Sequence, residues 1–279
     1  MDNRTPESAT AVGHPARDGA VPEPMIEARG VAKVYYARNA QVNAIGDITT
    51  TIRKGEFVSM VGPSGCGKST FLHIVAGFTK PTAGEVWIAE RSGKRAGGNL
   101  GYIFQKDTVL PWYTVRRNVS LGLMFTGASK ERIRARVVEL LDLAHLTAFA
   151  DAYPYQLSGG MRRRVALLMS LANDPEILLL DEPFGALDTH TKTHLHSELL
   201  EIWRKLRQTV VMVTHDLDEA ITLSDRVIVL SGPPSSILLD ERIDLPHPRD
   251  VFTVRQTDQF SYHQHRIWTV LGEQFRAGR

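Results

Sequence analysis

Hydrophobic and polar positions follow two different periods along this chain. Phe57-Val58-Ser59-Met60-Val61, Glu176–Leu180, Thr209–Val213 and Arg226–Leu230 are short, nearly unbroken apolar runs. Runs of that length predict strands buried on both faces of a sheet. Helices are predicted among them, from about Lys68 to Ala76, from Gly159 and from Thr189. Strand and helix in alternation predict an α/β fold with a mostly parallel sheet covered on both sides. Met25–Tyr35 and Val42–Ile52 read as two further strands, separated by a polar turn around Arg38–Ala40. From about Thr114 to Leu146 the pattern is helical. Lys130–Leu143 puts Ile133, Val137, Leu140 and Leu141 on one face, as a helical subdomain with its own core would.

The ends lack this patterning. Residues 1–24 are rich in Pro, Ala, Gly and charge, which predicts a disordered leader. Beyond Pro246 the chain is polar with scattered aromatics. A weak helical pattern there predicts a helix laid against the body or against a partner. A chain of 279 residues can bury a large core as one domain with two lobes. Its net charge of +2 gives no reason to expect nucleic acid. Cys66 is the sole cysteine, which excludes an internal disulfide. No apolar run approaches the ~20 residues of a membrane span. The first residues, with Asp2, Arg4, Glu7, Arg17 and Asp18, lack the apolar stretch of a secretory signal. The expectation is a protein that stays in the cytoplasm and meets membranes only through a partner.

Candidate chemistry enters with Gly62, Pro63, Ser64, Gly65, Cys66, Gly67, Lys68, Ser69 and Thr70. They spell G-x-x-x-x-G-K-S between a predicted strand and a predicted helix. Glycines let the backbone curl so that successive N–H groups face phosphate oxygens, and the helix start adds its positive end. Lys68 is then expected to reach the β- and γ-phosphates of ATP, and the Ser69 hydroxyl to bind Mg²⁺. Cys66 reads either as a reactive thiol or, the favoured reading, as a small filler of the loop. A second candidate ends the run Ile177–Leu180, where Asp181 and Glu182 follow. Ligand chemistry in parallel sheets gathers at the carboxyl ends of strands. Asp181 suits the Mg²⁺ shell and Glu182 a general base acting on water.

With the segments around them, these motifs resemble the ATP-binding cassette ATPases over about residues 25–245. Tyr102-Ile103-Phe104-Gln105 matches the family's Q-loop, and Leu157-Ser158-Gly159-Gly160-Met161 its signature. Asp181–Glu182 match its Walker B pair, Gly185-Ala186-Leu187-Asp188 its D-loop, and Thr214-His215-Asp216 its switch histidine. The resemblance implies a P-loop NTPase core with an N-terminal antiparallel β lobe, a helical signature subdomain at about 106–172 and a tail at 246–279. It implies a catalytic set of Lys68, Gln105, Glu182 and His215, and Gln105 as a Mg²⁺ ligand beside Ser69 and Asp181. Tyr35 is expected to stack on adenine, with neighbouring Tyr36 the alternative. It further implies a homodimer in which Leu157, Ser158, Gly159, Gly160 and Met161 of one copy, with the D-loop Asp188 nearby, grip ATP bound to the P-loop of the other.

Two positions depart from the common family pattern: Met161 stands in place of Gln, and Met169 in place of Arg. Gln105–Trp112, with Thr114, Val115, Asn118 and Val119, resembles the importer branch serving nitrate, sulfonates, taurine and related solutes. That branch implies transmembrane permease subunits, an extracytoplasmic solute-binding protein reached only indirectly, a place on the cytoplasmic face of the inner membrane and no nucleic acid. Leu110, Trp112 and Phe125 would either meet the permease or fill the helical subdomain's core. An exporter or envelope cassette keeps the same catalytic motifs and is the alternative. A soluble non-transport cassette ATPase usually carries two cassettes or a long coiled coil, unlike this chain with its single P-loop and signature. His190, His194 and His196, with Glu198, read either as a metal site or, more in keeping with the resemblance, as a solvated helix face.

Overall fold

The computed structural model describes residues 23–37, 40–89, 100–106, 108–185 and 187–277. The leader up to residue 22, Arg38 and Asn39 of the expected turn, Asp107 and Ala186 of the D-loop lie outside the described residues.

The central strands form where the apolar runs predict them. These are β3 (Phe57–Val61), β6 (Ile177–Asp181), β7 (Thr209–Val213) and β8 (Arg226–Leu230). They pair in parallel, with β5 (Leu100–Ile103) beside β6. Their side chains divide by a period of two. Ile177 and Leu179 of β6 join one apolar cluster, and Leu178 and Leu180 the other. The first cluster contains Phe71 and Leu72 of helix α1 (Lys68–Val75). Burying one such leucine contributes ~1.5–3 kcal/mol, which is why the run tolerates no polar residue before its end.

An antiparallel lobe is built from β1 (Pro24–Ala37), β2 (Ala40–Arg53) and β4 (Ala83–Ile88). Strand β9 (Ser235–Arg242) runs antiparallel to β8 and parallel to β2, joining the lobes, among the described residues, in one nine-stranded sheet ordered β4-β1-β2-β9-β8-β3-β7-β6-β5. β4, β5 and β9 are absent from the reading of the sequence. β4 mixes exposed and half-buried positions, and the buried positions of β9 are the polar Ser235 and Glu241, so neither stands out as an apolar run.

The predicted helical stretch divides into α2 (Val115–Phe125) and α3 (Lys130–Leu143). Gly127 at φ 71 turns the chain, and Ser129 caps α3 by accepting from the Arg132 amide at 3.2 Å. Val137, Leu140 and Leu141 are buried and Ile133 is half-buried against them. α4 (Gly159–Leu171) and α5 (Thr189–Leu206) complete this side of the sheet. The side chain of buried Asn118 bonds both the amide and the carbonyl of Leu110 and the carbonyl of Tyr113, which fixes the loop carrying Trp112. The last apolar cluster holds α6 (Leu217–Leu223) against α7 (Asp258–Ala277) through Ala220, Ile221, Phe260, Ile267 and Leu271. Buried Arg249 donates to the carbonyls of Thr222 and Ser224 at the end of α6, at 3.1 and 2.7 Å. No helix among the described residues is long and apolar enough to cross a membrane.

Candidate active site

The Gly62–Thr70 loop leaves β3 and enters α1. Gly67 sits at the helix N-cap with φ 92, a left-handed value that an L side chain resists. A Cβ there would also lie 2.8 Å from the carbonyl oxygen of Ala44 on β2. Glycine is therefore required twice over. The Lys68 ammonium folds back across the loop and donates to the carbonyls of Gly62 at 2.8 Å and Pro63 at 3.0 Å. Cys66 is fully buried under the loop, and burial raises its thiol pKa. That placement suits a filler.

Directly beneath, Ser69 donates to Oδ1 of Asp181 at 2.7 Å. Two hard oxygen donors adjacent in this way fit Mg²⁺, which favours carboxylate, hydroxyl and water oxygens. Oδ2 of the same carboxylate accepts from the phenol of Tyr102 at 3.2 Å. Burial, and next the Asp181 charge, push the Tyr102 pKa well up, so the phenol stays a donor.

Glu182, the next residue, is built differently. Its φ of 44 is unusual for a non-glycine residue and turns the chain sharply at the strand end. Its Oε2 accepts from Gln105 Nε2 at 2.9 Å and lies 3.3 Å from Nδ1 of His215. These three side chains come from the carboxyl ends of the adjacent strands β5, β6 and β7. The structure thus brings Gln105, Glu182 and His215 onto one carboxylate oxygen.

His215 is placed by a buried network that the reading of the sequence does not contain. Glu219 of α6 binds Thr214 through one oxygen and His196 Nε2 through the other, the latter at 3.0 Å. Asp216 caps α6 through the Glu219 amide at 3.2 Å and lies 3.4 Å from Lys192 of α5. The expected solvated helix face on α5 holds for His190 and His194, which are exposed, but not for His196. His196 is buried on Glu219, and Glu198 pairs with Arg164 at 2.6 Å. His190 and His194 stack edge-on, with ring centroids 4.6 Å apart. Among the described residues no three His, Cys, Asp or Glu side chains form a metal cluster. The signal for the Glu219 network was an acidic residue in the first turn after Thr214-His215-Asp216.

The signature residues start α4. Ser158 caps it by accepting from the Met161 amide at 3.2 Å. A Cβ on Gly160 would lie 2.7 Å from Thr191, so the starts of α4 and α5 approach closely. Asp188 caps α5 through the Thr191 amide at 3.0 Å, and Met161 and Met169 pack partly buried on the same core. Tyr35 is half-exposed with the Lys33 ammonium 5.0 Å from its ring centre, and Tyr36 is more open. Trp112 and Phe125 are 64% and 88% exposed, so neither fills the helical core, whereas Leu110 is half-buried.

A glycine-rich loop from a central strand into a helix, with paired carboxylates at the end of a nearby parallel strand, defines a P-loop nucleoside triphosphatase. Comparison with known proteins narrows the class. Residues 45–185 match the ABC transporter family. An aliphatic sulfonates import ATP-binding protein of Bacillus cereus is 40% identical over 79% of this chain and 86% of its own length. A nitrate import ATP-binding protein of Synechocystis sp. is 38% identical over 88% of this chain and 94% of its own. A dimeric ATP-binding cassette in a post-hydrolysis state, bound to ADP and Pi, superposes with a TM-score of 0.68 at 34% identity, over 80% of this chain and all of that one. The chain belongs to the ABC transporter family, as an ATP-binding subunit that hydrolyses ATP with Mg²⁺.

Proposed function

We propose that this subunit powers import of nitrate, a sulfonate, taurine or a related organic solute. In this reading it works as a homodimer on the cytoplasmic face of a membrane, bound to permease subunits that a solute-binding protein supplies from outside. Similarity to nitrate and sulfonate import proteins supports the solute class. The exposed Trp112 and Phe125, on a loop braced by Asn118 and at the end of α2, offer apolar surface to a permease. The observation that carries the hydrolytic chemistry is the convergence of Gln105 and His215 on Glu182, next to the Ser69–Asp181 pair.

Each residue then has a task. Lys68 exchanges its loop carbonyls for β- and γ-phosphate oxygens, and the Gly62–Thr70 amides surround the phosphates. Ser69, Asp181 and Gln105 would hold Mg²⁺, which when bound neutralises charge on the phosphates. Glu182 accepts the proton of the attacking water. His215, held by the Thr214–Glu219 network, orients Glu182 and the γ-phosphate. Tyr35 or Tyr36 offers its ring to adenine. The signature residues and the D-loop Asp188 meet the nucleotide of the other copy.

Glu182→Gln keeps the shape and removes the base. Turnover of the purified protein falls by ~10²–10⁴ while ATP binding persists. Normal turnover in this variant would refute the base assignment. For the solute, uptake of labelled nitrate, taurine or an alkanesulfonate in a strain lacking the subunit must depend on restoring it. Uptake unchanged by the deletion refutes the importer assignment.

A further inference from the structure

One side chain at the Asp181 carboxylate has no task in the account above. Asp181 Oδ1 is taken by Ser69, and Oδ2 by the phenol of Tyr102. A carboxylate held at one oxygen can still rotate about its Cβ–Cγ bond, and a second donor fixes its plane. Tyr102 can supply that donor because β5 lies beside β6, with Tyr102 opposite Leu179. Its ring is wedged against Phe104, Phe78 and His73, with centroids 4.4, 5.1 and 5.8 Å away. The strand is gripped in turn by the signature helix. Ser170 of α4 donates to the Tyr102 carbonyl at 2.9 Å, and Arg163 of α4 donates to the Phe104 carbonyl at 2.9 Å.

We propose that Tyr102 is a positioning residue for the metal-bearing carboxylate, keeping Asp181 Oδ1 turned toward Ser69 and tying that orientation to the place of α4. The proposal rests on the reading of Ser69 and Asp181 as Mg²⁺ ligands. It differs from a packing role because only the hydroxyl is at issue. The ring contacts survive in Tyr102→Phe, and the hydrogen bond does not.

The test is metal dependence of nucleotide binding, measured on the full chain carrying Glu182→Gln so that turnover does not interfere. A fluorescent ATP analogue is titrated in EDTA and then at rising Mg²⁺. Losing one ordinary-strength hydrogen bond should raise the Mg²⁺ concentration for half-maximal binding about three- to tenfold in Tyr102→Phe. Binding in EDTA should not change. Tyr102→Leu, which also removes the ring, should show the same Mg²⁺ shift together with lower thermal stability. A Tyr102→Phe midpoint equal to or below the parent's overturns the proposal. A Ser69→Ala variant run alongside separates the two readings. If its Mg²⁺ midpoint is also unmoved, the metal site itself is misassigned. If it rises while that of Tyr102→Phe does not, only the role of Tyr102 fails.

Discussion

Two helix starts carry the nucleotide motifs, and they are built in opposite ways. α1 begins behind Gly67, in a left-handed conformation with no side chain to cap it. α4 begins behind Ser158, extended at φ −65 and ψ 164, whose hydroxyl already serves the Met161 amide. First-turn amides have no partner inside their own helix. At α1 glycine leaves them to be met by an anion, with Lys68 parked on loop carbonyls nearby. At α4 the protein supplies its own oxygen, so the start is stable alone. The contrast suits a division of labour in which each copy grips its own nucleotide through α1 and lends α4 to its neighbour.

That contrast can be broken by substitution. The largest effect on nucleotide binding falls on the first start. Lys68→Ala removes a charge-assisted bond to phosphate and should weaken ATP binding by dilute subunit roughly 10–100-fold. Nucleotide titration measures this, and a change under twofold would show that the loop is not the main grip. Ser158→Ala is expected to do less. Losing the cap costs about 1 kcal/mol of stability, read as a lowered Tm. ATP binding by dilute subunit should stay unchanged, while ATP-driven pairing weakens. Impaired binding in the dilute subunit would place the signature in the same copy's site and erase the distinction.

The same two regions show what the sequence makes legible. β3, β6, β7 and β8 are buried on both faces, so their apolar runs predict them almost to the residue. The P-loop and the Asp181–Glu182 pair are local patterns joined to those strands, so the chemistry proposed for them could be argued from spacing and context. Gln105 and His215 are different, because they reach Glu182 only once β5, β6 and β7 are known to be neighbours. Resemblance to a family supplied their grouping with Glu182, since no local pattern contains it. Tyr102 and His196 lay beyond both routes. Each looks like an ordinary strand or helix position until a strand order or an interhelical contact places a carboxylate opposite. β4 and β9 were hidden because neither forms an apolar run.

The most direct test of two copies closing on ATP is light scattering of the Glu182→Gln variant. Without nucleotide the mass should match one chain of 31.1 kDa. In saturating ATP it should double, and adding Ser158→Ala should reduce that doubling. A mass that stays at one chain in saturating ATP, in a variant shown to bind the nucleotide, would contradict the shared-site account.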